Sequence, residues 1–165
     1  MSNPATKVGV LLARELEGFK RELALFPDDD MVWKTVPGVS NSAGNLALHV
    51  AGNLQYFVGA LLGDTGYVRN REAEFGRRSG TRAELVAELD AADRVVRDVL
   101  ARLPETGVGS EFPEAVLGMR LPTDLFLLHL CAHAAFHLGQ AGYLRRVITD
   151  DSRTSGALPL QPLAL

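Results

Sequence analysis

The sequence holds a single cysteine, Cys131, in 165 residues. No intrachain disulfide is possible and no Cys-x-x-Cys motif exists, which fits a reducing compartment. No uninterrupted apolar run reaches the roughly 18 residues of a membrane span. The opening Met1-Ser2-Asn3-Pro4 lacks the charged start and apolar stretch of a secretory signal, so a cytoplasmic location is expected. Charge of one sign is also missing. The 17 Lys and Arg against 20 Asp and Glu leave a net charge of −3. The Arg77-Arg78 and Arg145-Arg146 pairs are too short to form the basic stripe of a nucleic-acid binder. Neither nucleic acid nor membrane is an expected partner. A Gly-rich phosphate loop and a Gly-x-Ser-x-Gly elbow are absent as well.

What is present is enough apolar material for one core. Hydrophobic residues make up 47% and charged residues 22%, as in an ordinary globular chain, and the length suits one domain over 1–165. Four segments carry helical periodicity. The first spans about 5–26, where Val8, Leu12, Leu16, Phe19, Leu23 and Phe26 recur every three or four residues. The second, about 42–62, is apolar around most of its circumference and so should be buried on most sides, with Gly63 as its stop. The third, about 81–103, opens on the capping-box pair Thr81 and Glu84. The fourth, about 123–149, follows Pro122 with Thr123 or Asp124 as cap. The stretch 115–121 is expected to be extended or a turn. The tail 155–165, with Pro159 and Pro162, is expected to be non-helical and to pack on a surface. The fold class is all-α, a four-helix bundle, antiparallel or with crossovers.

All four histidines fall on two of these helices: His49 on the second; His129, His133 and His137 on the fourth. Residues i and i+4 share a helical face about 6 Å apart along the axis, close enough for two imidazoles to meet one ion. His129 and His137 are about 12 Å apart along the axis, so a single ion takes one adjacent pair. His133 belongs to either pair. A third ligand must come from another element, and His49 is the remaining histidine. Three neutral imidazoles leave a coordination position open, as in catalytic rather than closed structural sites. Zn²⁺, Ni²⁺ and Fe²⁺ all suit such ligands.

The stretch His133-Ala-Ala-Phe-His137-Leu-Gly139-Gln140, followed by Tyr143-Leu-Arg-Arg, resembles the last-helix motif of the DinB-like superfamily, also described as YfiT-like metal-dependent hydrolases. Asn45-Leu-Ala-Leu-His49-Val-Ala-Gly resembles the motif of its second helix. The resemblance implies a four-helix bundle holding one divalent metal through His49, His133 and His137, and it sets His129 aside as a pocket or core residue. It also implies relatives that transfer groups to low-molecular-weight thiols such as bacillithiol, or isomerise maleylpyruvate with mycothiol. A small-molecule substrate, a possible thiol cosubstrate and a homodimer follow as expectations. The enzyme reading is a thiol-S-transferase or hydrolase. Its alternative is a non-catalytic, metal-binding stress-response module.

Other residues are candidates for supporting places. Asn45 and Asn53 flank His49 by four on the same face, where they are expected to orient the imidazole, to bind substrate, or to make a helix-end or interhelical hydrogen bond. Gln140 stands three beyond His137. Tyr56 and Tyr143 are candidates for the pocket wall, and Trp33 for a cover at the bundle end or a dimer contact. Cys131 points away from the histidines beside it and is expected to be buried and inert. No carboxylate accompanies the histidine motif on the fourth helix, unlike His-Glu-x-x-His proteases. Glu111, Glu114 and Asp64 are the conceivable loop bases, with nothing to rank them.

Overall fold

Helix α1 (Pro4–Ala24) begins where the Asn3 side chain accepts from the Ala5 N–H, with Pro4 in the first turn, where its missing N–H costs nothing. Its apolar stripe is the expected one, and Phe26 remains buried although the helix ends two residues earlier. The computed structural model describes residues 3–156 and 158–164. Met1, Ser2, Ala157 and Leu165 lie outside it, and with them the corresponding parts of the N-terminal and tail expectations.

Helix α2 (Ala43–Leu54) opens on a capping box between Ser42 and Asn45. It then widens into a π-helical stretch, Gln55–Ala60, and closes as α3 (Leu61–Gly63). The expected helix over 42–62 has the right extent but is not uniform. Its stop is Asp64, at φ 49°, rather than Gly63; a short polar side chain tolerates the left-handed region. Gly63 instead packs against α5, where a Cβ would lie 2.3 Å from a Val99 methyl.

After α4 (Arg71–Gly76) comes α5 (Arg82–Arg102), capped by Thr81 and Glu84 as read from the sequence. The short α6 (Glu105–Val108) leads to a turn in which Glu111 bridges to Pro122 and Val116 to Met119. Helix α7 (Thr123–Thr149) has no side-chain cap, so the expected caps are corrected. Thr123 is buried with its hydroxyl unpaired, and Asp124 accepts only from the N–H of Leu125. The tail is non-helical apart from one 3₁₀ turn, Gln161–Leu163, and that turn packs on α1.

Both α1 and α2 pack on α5 and α7. Gly9 meets Leu100 while Lys20 reaches Asp90, so α1 and α5 are antiparallel. Gly18 meets Leu138 and Glu22 meets Arg145, so α1 and α7 are parallel. His49 lies against His133 and Phe57 against Phe126, so α2 and α7 are antiparallel. Gln55 meets Glu88 and Gly63 meets Val99, so α2 and α5 are parallel. Parallel neighbours cannot be joined by a tight turn, so residues 64–81 must cross the bundle, and α4 rides on this crossover. No strand is present among the described residues.

The stretch Ala43–Gly63 is long and apolar enough to cross a membrane, its most apolar 18-residue window having a mean hydropathy of 1.3, yet 61% of that window is buried inside the bundle. It is the central core helix anticipated from its all-round apolar character. Leu12, Leu16 and Phe19 of α1, Leu85, Leu89 and Leu100 of α5, and Leu127 and Leu130 of α7 are fully buried around it. Burying each such side chain stabilises the fold by about 1.5–3 kcal/mol before entropy is counted.

Candidate metal centre

His133 and His137 sit one turn apart on α7, facing His49 in the middle of α2. The Nε2 atom of His133 lies 3.1 Å from Nε2 of His49 and 3.2 Å from Nε2 of His137. One nitrogen from each of the three residues falls within 4.8 Å of the others. Ligand nitrogens held at about 2.0–2.1 Å from a tetrahedral ion lie about 3.3 Å apart, so the 3.1 and 3.2 Å spacings about His133 suit a shared ion. The pair His133 and His137 faces His49, as the motif resemblance implies.

The electrostatics favour neutral imidazoles. The His133 ring is pushed down to about 3, first by burial and then by the neighbouring His137, His49 and His129 rings and the Arg69 guanidinium. Burial also lowers the His137 pKa, against a hydrogen bond donated to Gln140 that works the other way. A neutral imidazole keeps the lone pair that a metal needs.

The back of the site is built by a residue that sequence reasoning missed. Glu74, on α4, is 5% exposed. One carboxylate oxygen lies 2.9 Å from Nδ1 of His49. Arg69 grips the same carboxylate with Nε at 2.7 Å and Nη2 at 2.9 Å. Burial alone would raise the Glu74 pKa, but hydrogen bonds from His49 and Arg69 and the Arg69 charge hold it below the ordinary value. An ionised carboxylate only accepts, so Nδ1 of His49 carries the proton and Nε2 offers its lone pair to the centre. Gln140 does the same for His137, its Oε1 accepting from Nδ1 at 2.8 Å. The approach of Glu74 requires Gly52, because a Cβ there would lie 2.3 Å from its carboxylate oxygen. The only sequence signal for this arrangement was a glycine three residues after His49.

A family model described as the DinB superfamily matches residues 11–141. The chain belongs to the DinB superfamily. The matched span contains His49, His133, His137 and the crossover that carries Glu74. No curated protein matches the chain. Membership and the clustered histidines are compatible with binding of a divalent metal.

The remaining candidates of this DinB chain separate by place. Asn45 does not touch the His49 ring. Its amide donates to the carbonyls of Glu74 and Arg77 at 2.9 Å each, clamping α4 in position. Asn53 is buried with its Oδ1 unpaired. Tyr56 donates to Glu114 at 3.2 Å, near the surface. His129 is exposed, stacked on Phe126, its ring 6.1 Å from that of His133. Cys131 is half-buried, and burial raises its thiol to about 11, too high for a nucleophile at neutral pH. Trp33 is buried and donates to the Gly80 carbonyl at 2.8 Å, so it closes the bundle end. Glu111 pairs with Arg120, and Asp64 caps α3.

A cleft of about 500 Å³ opens beside His137. Val36, Val39, Leu46, Tyr143, Leu144 and Val147 supply its apolar walls, and Ser40, Asn41 and Gln140 its polar groups. None of its lining residues carries a charged side chain.

Proposed function

We propose that this DinB-superfamily protein is a metal-dependent enzyme acting on a small molecule, as a thiol-S-transferase or hydrolase. The observation that carries the reading is the convergence of three Nε2 atoms, two of them backed by a hydrogen-bonded Nδ1, next to an open cleft. His49, His133 and His137 would hold one divalent ion, Zn²⁺, Ni²⁺ or Fe²⁺ by ligand type. When bound, such an ion supplies Lewis acidity and lowers the pKa of a thiol or water that reaches it. The chain's own residues supply position. Glu74 and Gln140 hold two rings in orientation, the Arg69 charge balances Glu74, and the crossover seals the back of His49. The uncharged cleft favours a neutral, largely apolar substrate or electrophile, with Ser40, Asn41 and Gln140 to orient a polar group.

The test begins with metal analysis of untagged protein and of the His133→Ala variant. It continues with a panel of neutral electrophiles and amides offered with and without a low-molecular-weight thiol. One ion per chain, lost in the variant together with turnover, is expected. Equal metal content and activity in both proteins would sink the reading. The second reading, a non-catalytic metal-binding module of the stress-response kind, draws on one observation. The buried carboxylate at the centre, Glu74, is already engaged by His49 and Arg69, and so is not a free base. It predicts the same metal binding with no turnover on any member of the panel.

A further inference from the structure

On the reading above, in which the reacting end of the substrate meets the metal centre, we propose that the cleft selects a straight aliphatic acyl chain. Its carbonyl lies at Gln140 and its methyl end near Val147. The shape of the cleft carries this. Along α7 it is walled by His137, Gln140, Leu144 and Val147, one helical stripe at steps of three, four and three. From His137 to Val147 is about 15 Å at 1.5 Å per residue. A volume of about 500 Å³ drawn out over that length has a mean cross-section of roughly 33 Å². One hydrocarbon chain fits along such a cleft, and two abreast do not. From Gln140 to Val147 is about 10 Å. An extended chain advances about 1.2 Å per bond, so an acyl chain of about ten carbons fills that distance.

The opposite wall is set by a tight turn. The Val39 N–H donates to the Val36 carbonyl at 3.0 Å across Pro37 and Gly38, with Gly38 at φ 85°. A positive φ at the third position alone marks a type II turn, and proline and glycine stand where each is favoured. The turn presents Val36 and Val39 to the cleft together. Leu46, on α2, adds to the same lining. Val39 and Val147 are 41% and 64% exposed. The fold leaves these apolar groups in water, and an aliphatic chain lying between them would cover both. A charged terminus would meet no counter-ion among the lining residues.

Gln140 sets the polar end. Its Oε1 accepts from Nδ1 of His137 at 2.8 Å. That leaves its amide N–H groups as donors for a ligand in the cleft it lines. Such donors recognise a carbonyl oxygen and reject an ammonium or another N–H. A carbonyl held there lies beside His137, at the metal centre, while the chain behind it follows α7 away from the histidines.

Isothermal titration of the untagged full chain, without added metal, tests the proposal with straight-chain primary amides from butanamide to decanamide. Each added methylene should tighten Kd about two- to fourfold, the open side of the cleft holding the gain at or below that of full burial. Adamantane-1-carboxamide, apolar but compact, should bind at least about tenfold more weakly than decanamide. Val147→Asp, at an exposed helical position, should leave butanamide unchanged and weaken decanamide at least about tenfold, because an unpaired carboxylate then borders the far end of the chain. Val39→Asp, in the exposed turn opposite, should do the same. Equal affinities for butanamide and decanamide overturn the proposal, as does a compact amide that binds as tightly as decanamide. So does a protein that takes up no amide, including one that buries the cleft against a second copy in sedimentation. Binding is read here without metal or turnover, so the two proposals separate. Chain-length-dependent binding with no turnover on the electrophile panel supports the cleft and removes the enzymatic reading. Metal-dependent turnover indifferent to chain length does the reverse.

Discussion

The residue that organises the centre is Glu74, and its effect is transmitted through one ring. The carboxylate holds Nδ1–H of His49 and thereby turns Nε2 toward His133. Replacing Glu74 with Gln keeps the size but weakens the grip on that proton and on Arg69. Isothermal titration with Zn²⁺ should show a metal affinity reduced by about 10–100-fold, the usual cost of losing such a partner. The same change should cost about 1–3 kcal/mol of stability, because the buried Arg69 pairing is weakened. Gly52→Ala should act on the same atoms from the other side. A Cβ 2.3 Å from the Glu74 oxygen must displace it or the helix. Weakened metal binding is expected there even though Ala is the better helix former. Unaltered affinity in both variants would mean that Glu74 has no hold on the site.

At the level of elements, the join between α1 and α7 rests on a buried ion pair. Arg145 is 0% exposed, and its Nε lies 2.7 Å from a Glu22 oxygen. Gly142 leaves the space, with Glu22 atoms 3.3 Å from where its Cβ would be. The same guanidinium donates to the carbonyls of Asp151 and Arg153, and the Ser155 N–H donates to Glu22. The pair therefore ties the start of the tail to both helices. Glu22→Ala should destabilise the chain by about 3–5 kcal/mol in chemical denaturation, since it strands a buried cation. Burial alone would raise the Glu22 pKa, but hydrogen bonds from Arg145 and Ser155 and the Arg145 charge hold it below its ordinary value of 4.5. A carboxyl depressed in the folded state contributes stability above its unfolded pKa, and that contribution is lost as pH falls through the folded value. Unfolding free energy should therefore decline as pH drops below about 4.5. The decline should be shallower in Glu22→Gln, with Glu74 supplying part of what remains. Parallel slopes for the two proteins would exclude this assignment.

For the whole molecule, the centre joins α2 to α7 across the middle of the bundle, so an ion that binds only the folded chain must stabilise it. At 100 times its Kd a metal adds about 2.7 kcal/mol. For a chain of this size that corresponds to a rise in Tm of roughly 5–10 °C. Calorimetry with Zn²⁺ or Ni²⁺ should show this rise, with reversal by a chelator and absence in His133→Ala. An unchanged Tm in the wild-type chain would count against the metal reading as a whole.

The sequence by itself determined the class of fold and narrowed the histidines to His49 with one adjacent pair on the last helix. Both are periodic signals: apolar residues at three- and four-residue spacing mark the helices, and histidines four apart share a face once their segment is helical; only the resemblance to the DinB-like motif singled out His133 and His137. The capping box at Thr81 and Glu84 was legible for the same reason, being local. Only the tertiary structure decided what lies between helices. Glu74 sits 25 residues from His49, on a crossover whose path follows from α2 and α5 being parallel neighbours, and no short-range pattern encodes that. The separation of Glu22 from Arg145, 123 residues, hid their pairing too. Asn45 shares α2 with His49, but its partners are carbonyls of the crossover, which no local pattern shows. The exposed stripe of α7 was invisible to composition, because an apolar residue in a helix reads alike whether it faces the core or solvent. Local periodicity says which residues share a face, and packing alone says what that face meets.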